Sequence, residues 1–239
     1  MRSIKLKLIV LTASMILAAI SIVTFPILNA QIRSSKDNIT KSAAMQITSA
    51  IDSINSFFDK PKTIVKDVSL YVKRGDFNLE RAQKDFEDLV KGNSSILCLY
   101  YADPVPINKG GMFYSSDCWI PENDYDKESR DWYAEAKKTD KVIVSEPYID
   151  EDTRSLVTTV AYAVRENDKF LGVNGIDILL TEINSMVSGN KLTKNGKTFL
   201  IDQNGLYLTN EDFDKIMKVN FFDEYKSLSK YKTNLNNKV

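Results

Sequence analysis

From Leu8 to Ile32 the chain carries no charged residue, and Leu8–Leu28 is almost continuously apolar, with Arg2, Lys5 and Lys7 in front of it. A helix of about 20 such residues crosses the hydrocarbon core of a bilayer. A cleaved signal peptide is the competing reading, because Leu28-Asn29-Ala30 loosely resembles a cleavage site. The stretch exceeds the roughly 7–15 residues of a signal core, so an uncleaved anchor over 8–28 is the reading preferred. Arg33, Lys36 and Lys41 follow the span as closely as the basic residues precede it, which nearly balances the positive-inside count. A long following domain is exported largely regardless of such charges. Residues 1–7 are therefore expected in the cytoplasm and the rest outside the cell membrane.

Beyond the span, Ile32, Ile39, Ala43, Ile47, Ile51, Ile54 and Phe58 recur at steps of three, four or seven. That spacing predicts a long amphipathic helix over 30–60, bent or ended by Pro61. Its stripe can pack on the chain's own following sheet or on a second copy as a homodimer. Asp76 is placed to cap a helix carrying Leu79, Ala82, Phe86, Leu89 and Val90, and Gly92-Asn93 to stop it. Strands are expected over 96–101 and around 112–114, a short helix over 130–138, and a brief strand over 141–145. Leu156–Arg165, the turn Asn167-Asp168 and Lys169–Leu180 read as a hairpin. A helix over 180–187 follows, then a second hairpin from 197–202, turn Gln203-Asn-Gly205 and 206–209.

Lysine plus arginine and aspartate plus glutamate both number 32, so no net positive field exists to hold a nucleic-acid backbone. Histidine is absent. That removes the usual general base near neutral pH and the commonest transition-metal ligand, and no catalytic residue, metal or cofactor is predicted. Cys98 and Cys118 are too widely spaced for a CxxC site. Outside the cytoplasm they could form one disulfide; two unpaired buried thiols is the plainer reading.

The chemistry-bearing residues lie between 125 and 177. They are Tyr125, Arg130, Trp132 and Tyr133 in a Tyr-x4-Arg-x-Trp-Tyr run, Tyr148 and Asp150 in Tyr-x-Asp, and Asp177 in the strand after Gly175. A guanidinium binds a carboxylate bidentately, and ionised aspartates accept from an ammonium. A cation at one pole and anions at the other complement a zwitterion such as a free α-amino acid. Taken singly, Arg130 and Asp177 could equally pair with each other, and Trp132 and Tyr133 could be helix-face core. A second function class is a hydrolase with Asp150 and Asp177 as paired carboxylates, which nothing else in the chain supports.

An apolar span, a long helix and a sheet module with this ordered set resemble the double Cache sensors of methyl-accepting chemotaxis receptors, in the amino-acid-binding branch. The resemblance implies an α+β architecture: a transmembrane helix and a long helix, a membrane-distal PAS-like module over 61–187, and a partial membrane-proximal one over 188–239. It implies that Tyr125, Arg130 and Trp132 meet the ligand carboxylate, with Tyr133 the aromatic after the Trp. Asp150 and Asp177 would meet the amine, with Tyr148 completing the motif. The side-chain pocket is expected within 101–116 and 142–159, for a small or apolar amino acid, and Gly175 to leave room for a ligand or a neighbouring backbone. The chain ends at Val239 where the second module should continue, which reads either as a cut or naturally shortened receptor or as a sensor without an attached output domain. The same sensor serves histidine kinases and cyclic-dinucleotide cyclases. The polar end from Tyr231 is expected to fray.

Overall fold

The computed structural model describes residues 2–74, 79–191 and 193–232. The Asp76 cap and the last seven residues, 233–239, lie outside them. The chain divides into two compact units, Met1–Ser49 and Ala50–Val239.

Helix α1 (Arg2–Lys73) runs without interruption through Pro26 and Pro61. Its apolar window has a mean hydropathy of 2.5 and no part of it is buried by the protein. The hydroxyls inside this stretch return to backbone carbonyls three or four residues earlier, Thr12 to Leu8 at 3.0 Å and Ser21 to Leu17 at 2.8 Å. No polar side chain there is left to demand water, which suits a lipid surround.

Pro61 does not end the helix, one of the two outcomes expected from sequence. Proline in a helix interior costs about 3 kcal/mol. Here Phe58, Ile64, Val65 and Val68 around it are all buried in the core of the second unit, and that burial offsets the lost hydrogen bond. The apolar stripe accordingly splits. Ile54 and Phe58 pack on the core, whereas Ile32, Ile39, Ile47 and Ile51 are exposed.

The second unit centres on an antiparallel sheet. Its strands are β1 (Ile96–Ala102), β2 (Phe113–Ser115), β3 (Ile143–Val144), β4 (Tyr148–Ile149), β5 (Leu156–Glu166) and β6 (Lys169–Leu179). The order is β2-β1-β6-β5-β3, with β4 also pairing β5. The long β5–β6 hairpin forms as expected. Asn167 and Asp168 both take positive φ, 47° and 63°, which is the geometry a two-residue hairpin turn requires.

Alternation sorts the sheet's residues onto two faces. One face presents Leu99, Tyr101, Val160, Val164, Ile176 and Ile178, covered by α1, by Phe86 of α2 (Leu79–Val90), and by Ile183 and Val187 of α4 (Leu180–Gly189). The other presents Cys98, Tyr100, Ala102, Ala161 and Val173 to Trp132, Tyr133 and Ala136 of the short helix α3 (Asp131–Ala136). On the first face, the buried Asn174 amide donates to the Val65 carbonyl of α1 at 3.0 Å, and its Oδ1 has no partner among the described residues.

Ile216, with Leu200 and Met217 beside it, joins the same core as the sheet. The expected second hairpin keeps its turn, with Gly205 at φ 91° and Asp202 N donating to Leu206 O at 2.9 Å. Among the described residues its arms form one bridge, Ile201–Tyr207, with Leu200 N also donating to Thr209 Oγ1 at 2.8 Å, and Leu206 bridges to Asn220, just ahead of α5 (Phe221–Glu224). Cys98 and Cys118 are both free thiols, and Cys118 is exposed rather than buried.

Candidate ligand-binding site

In the β1–β6–β5 ladder Cys98 faces Asp177, Tyr100 faces Gly175, and Thr159 faces Asp177. Strand register therefore gathers Asp177 and its partners on the face covered by α3. The carboxylate is 2% exposed. Its Oδ1 accepts from Thr159 Oγ1 at 2.6 Å, Tyr100 OH at 2.9 Å and Tyr148 OH at 3.1 Å, and Cys98 Sγ lies 3.7 Å from Oδ2. Burial pushes its pKa up to about 6, opposed by the Thr159 and Tyr100 hydrogen bonds and abetted by the negative charge of Asp150. Burial and the same carboxylate push the Tyr100 and Tyr148 hydroxyls well up, so both stay protonated donors. Three hydroxyls converge on one oxygen, which leaves Oδ2 the freer acceptor.

Arg130 comes from a separate segment, at the start of α3. A 3-10 turn (Lys127–Ser129), capped by Asp126, delivers it to the N-cap of α3. Below that turn, Lys127 Nζ is buried against Asp103 Oδ1 at 2.8 Å, and Tyr133 OH donates to the Asp103 carbonyl at 2.9 Å. Both ends of the Arg130 segment are thus fastened to the residue that follows β1. The Arg130 guanidinium lies 5.1 Å from the Tyr125 ring centre and donates to Glu151 Oε2 at 2.6 Å. Burial pushes the Tyr125 hydroxyl up to about 12, despite the adjacent guanidinium.

The loop after β4 supplies the third wall. Asp150 Oδ1 accepts from Thr153 N at 2.7 Å and Thr153 Oγ1 at 2.6 Å, which fixes this carboxylate at the cavity edge. Trp132 packs edge-on against Tyr100 at 5.0 Å, and Phe113, Trp119 and Tyr125 form a mutually perpendicular aromatic group beside it. Together these residues line one cavity that opens to solvent. Among the described residues its lining holds one cation, Arg130, against Asp117, Asp150, Glu151, Asp152 and Asp177.

Six of the seven residues singled out from sequence, Tyr125, Arg130, Trp132, Tyr148, Asp150 and Asp177, line this one cavity. Tyr133 does not. Its ring is fully buried behind Trp132, at 5.4 Å and nearly perpendicular, and its hydroxyl is taken by Asp103. Successive helix positions point about 100° apart, so Trp132 and Tyr133 cannot both face the cavity. Arg130 and Asp177 do not pair with each other; each has the separate partners given above. Tyr100 and Cys98 lie outside both the ordered set and the expected pocket segments, whereas Glu151 and Thr159 lie within 142–159 but outside the ordered set. Gly175 makes room for a side chain rather than for a backbone, since a Cβ there would lie 2.3 Å from the Tyr100 ring.

A Cache domain family model matches residues 27–238. The chain belongs to the Cache domain family. The methyl-accepting chemotaxis protein PscA of Pseudomonas syringae pv. tomato is 31% identical over 108 residues, 45% of this chain and 17% of that protein. McpC of Bacillus subtilis is 40% identical over 83 residues, 34% of this chain and 13% of its own length. The matches thus cover under a fifth of these relatives. Among solved structures, the ligand-binding domain of the Pseudomonas aeruginosa amino acid chemoreceptor PctC in complex with GABA superposes with a TM-score of 0.63 at 20% identity. That match covers 77% of this chain and 82% of that one. The ligand-binding domain of Pseudomonas fluorescens CtaA in complex with L-alanine gives 0.63 at 20% identity, covering 79% and 78%. These superpositions establish the Cache fold of the sheet unit.

Proposed function

We propose that this Cache domain is the extracytoplasmic sensor of a transmembrane chemoreceptor and binds a free L-amino acid by its two charged ends. The observation that carries the reading is the polarity of the cavity. Arg130 lines the cavity with Glu151 on its guanidinium, and the buried Asp177 lines it with Asp150, with no ion pair between Arg130 and Asp177 among the described residues. A carboxylate with 2% exposure and no cation beside it among the described residues is expensive to hold ionised, and an ammonium on its freer oxygen would relieve that cost. Tyr125 and Trp132 would frame the carboxylate end, Tyr148 and Tyr100 would orient Asp177, and a small or apolar ligand side chain would rest against Phe113 and Trp119. The apolar window of α1 would anchor the sensor in the cell membrane. The exposed Ile32, Ile39, Ile47 and Ile51 would meet a second copy.

The test is thermal melting of the full chain in detergent micelles with each of the twenty amino acids. Ligand linkage raises the midpoint for any that binds the folded state. A rise with at least one free amino acid, and none with its amide or its N-acetyl derivative, supports the two-pole reading. Equal rises with the blocked derivatives, or no rise with any amino acid, refute it.

A further inference from the structure

The Arg130 guanidinium is already engaged by a carboxylate. Glu151 Oε2 sits 2.6 Å from Nη2, and both residues line the cavity. Glu151 also has a second cation within reach, since Arg154 Nη2 lies 3.9 Å from its other oxygen. The Arg154 backbone N–H donates to the Asp150 carbonyl at 3.1 Å, with φ at 58°, while its side chain is largely exposed. Glu151 therefore stands between two arginines, one facing the cavity and one facing solvent. It is flanked by Asp150 and Asp152, and the acidic run Asp150–Asp152 has a strong electrostatic reason to keep an arginine close.

We infer that Glu151 is an internal competitor for the ligand carboxylate, an affinity-setting residue of the site that yields Arg130 and moves to Arg154 when an amino acid binds. The inference rests on the two-pole reading of the cavity. Two carboxylates on one guanidinium repel each other, and the guanidinium's charge is spent on the first. An incoming α-carboxylate thus meets a cation that is largely neutralised until Glu151 leaves. Arg154 gives the displaced side chain an ionic partner within the same loop, so displacement costs less than it would for a glutamate released to water. Asp150 opens the same loop, and so both poles of the ligand act on one short segment. Its ammonium draws on Asp150, and its carboxylate expels Glu151. The pair is partly solvated, at 30% and 42% exposure, which limits the size of the competition.

The experiment is calorimetric titration of the full chain in detergent micelles. One titrant is whichever amino acid gives the largest melting shift, and the other is the primary amine that lacks its α-carboxylate. Glu151→Gln keeps the length of the side chain and removes its charge. It should bind the amino acid about two- to fivefold tighter than the unmodified chain, as expected for releasing a partly exposed ion pair, and bind the amine no tighter. Glu151→Ala should do the same if the amide itself interferes. Arg154→Gln should weaken amino-acid binding, because displaced Glu151 loses its second partner. Unchanged or weaker amino-acid binding by both Glu151 variants overturns the competition, as does equal tightening for amino acid and amine. Failure of the unmodified chain to bind any amino acid overturns the two-pole reading and the competition together.

Discussion

Tyr100 stands directly across the β1–β6 ladder from Gly175, and its ring fills the space a side chain at 175 would need. That vacancy lets the hydroxyl reach Asp177 two residues along the neighbouring strand, at 2.9 Å. Gly175→Ala should push the ring off the carboxylate. Overpacking of this kind costs about 1–3 kcal/mol, measurable by urea unfolding. Gly175→Ala combined with Tyr100→Ala should be less damaging than the two single losses added, because one removes the obstacle to the other. Simple additivity would show that the ring is not the obstacle.

Arg130→Ala should abolish or strongly weaken amino-acid binding while the far-ultraviolet circular dichroism stays unchanged. The side chain is partly exposed and its ion pair with Glu151 lies at the cavity rim, so the fold does not depend on it. Removing one member of a ligand-binding charge pair typically costs about 2 kcal/mol or more, on the order of thirtyfold in Kd. An unchanged Kd by titration calorimetry would remove Arg130 from the site.

Asp177 gives the site a pH dependence with a definite sign. Its folded-state pKa of about 6 lies above the ordinary carboxylate value because it is buried. An acid raised in this way contributes stability that is fully present below its unfolded pKa and lost as pH rises through about 6. Asp177→Asn should therefore melt higher than the unmodified chain at pH 7.5, by a margin that shrinks towards pH 5. The margin corresponds to about 3 kcal/mol at most. Amino-acid affinity should run the other way, falling as pH drops through about 6 because the ammonium needs the ionised form. Melting curves and titrations at pH 5, 6 and 7.5 check both halves.

Lys127→Met should destabilise the domain by about 3–5 kcal/mol, since it leaves the Asp103 carboxylate buried without its cation. The double change Lys127→Met, Asp103→Leu should recover much of that loss in chemical unfolding, because neither charge then remains to be desolvated. The double variant also loses the fastening of the Arg130 turn to β1, so its amino-acid affinity should stay below that of the unmodified chain.

The parts of this design that were legible in sequence are those where local chemistry and tertiary packing agree. Asn167-Asp168 sits between two alternating β-rich segments, and only a hairpin uses both. The ordered set from Tyr125 to Asp177 pointed to one cavity because residues of complementary charge recur there around aromatics. Tyr100 was hidden for a physical reason. It lies in Ile96–Ala102, a strand buried on both faces, where alternation gives no sign of which side meets the site. Glu151 was hidden because one acid among Asp150, Glu151 and Asp152 in a loop has no periodicity to mark it. Pro61 allowed an end that the helix does not have, since its local cost is real but smaller than the burial of Phe58, Ile64, Val65 and Val68 around it. Among the described residues the second hairpin keeps one bridge, because its Gly-centred turn fixes a reversal without fixing what its arms pair with.

The Asn174 amide joins β6 to α1 through the Val65 carbonyl, from the side of the strand opposite Asp177. A tug on Asp177 that slides β6 along its neighbours would be felt at Val65 through a single rigid tether, with no loop between to absorb it. The unsatisfied oxygen of the same amide adds a reason for the tether to shift, because any movement that found it a donor would be rewarded. The strand that holds the buried carboxylate and the turn of α1 at Val65 are in this sense one lever, hinged at Asn174.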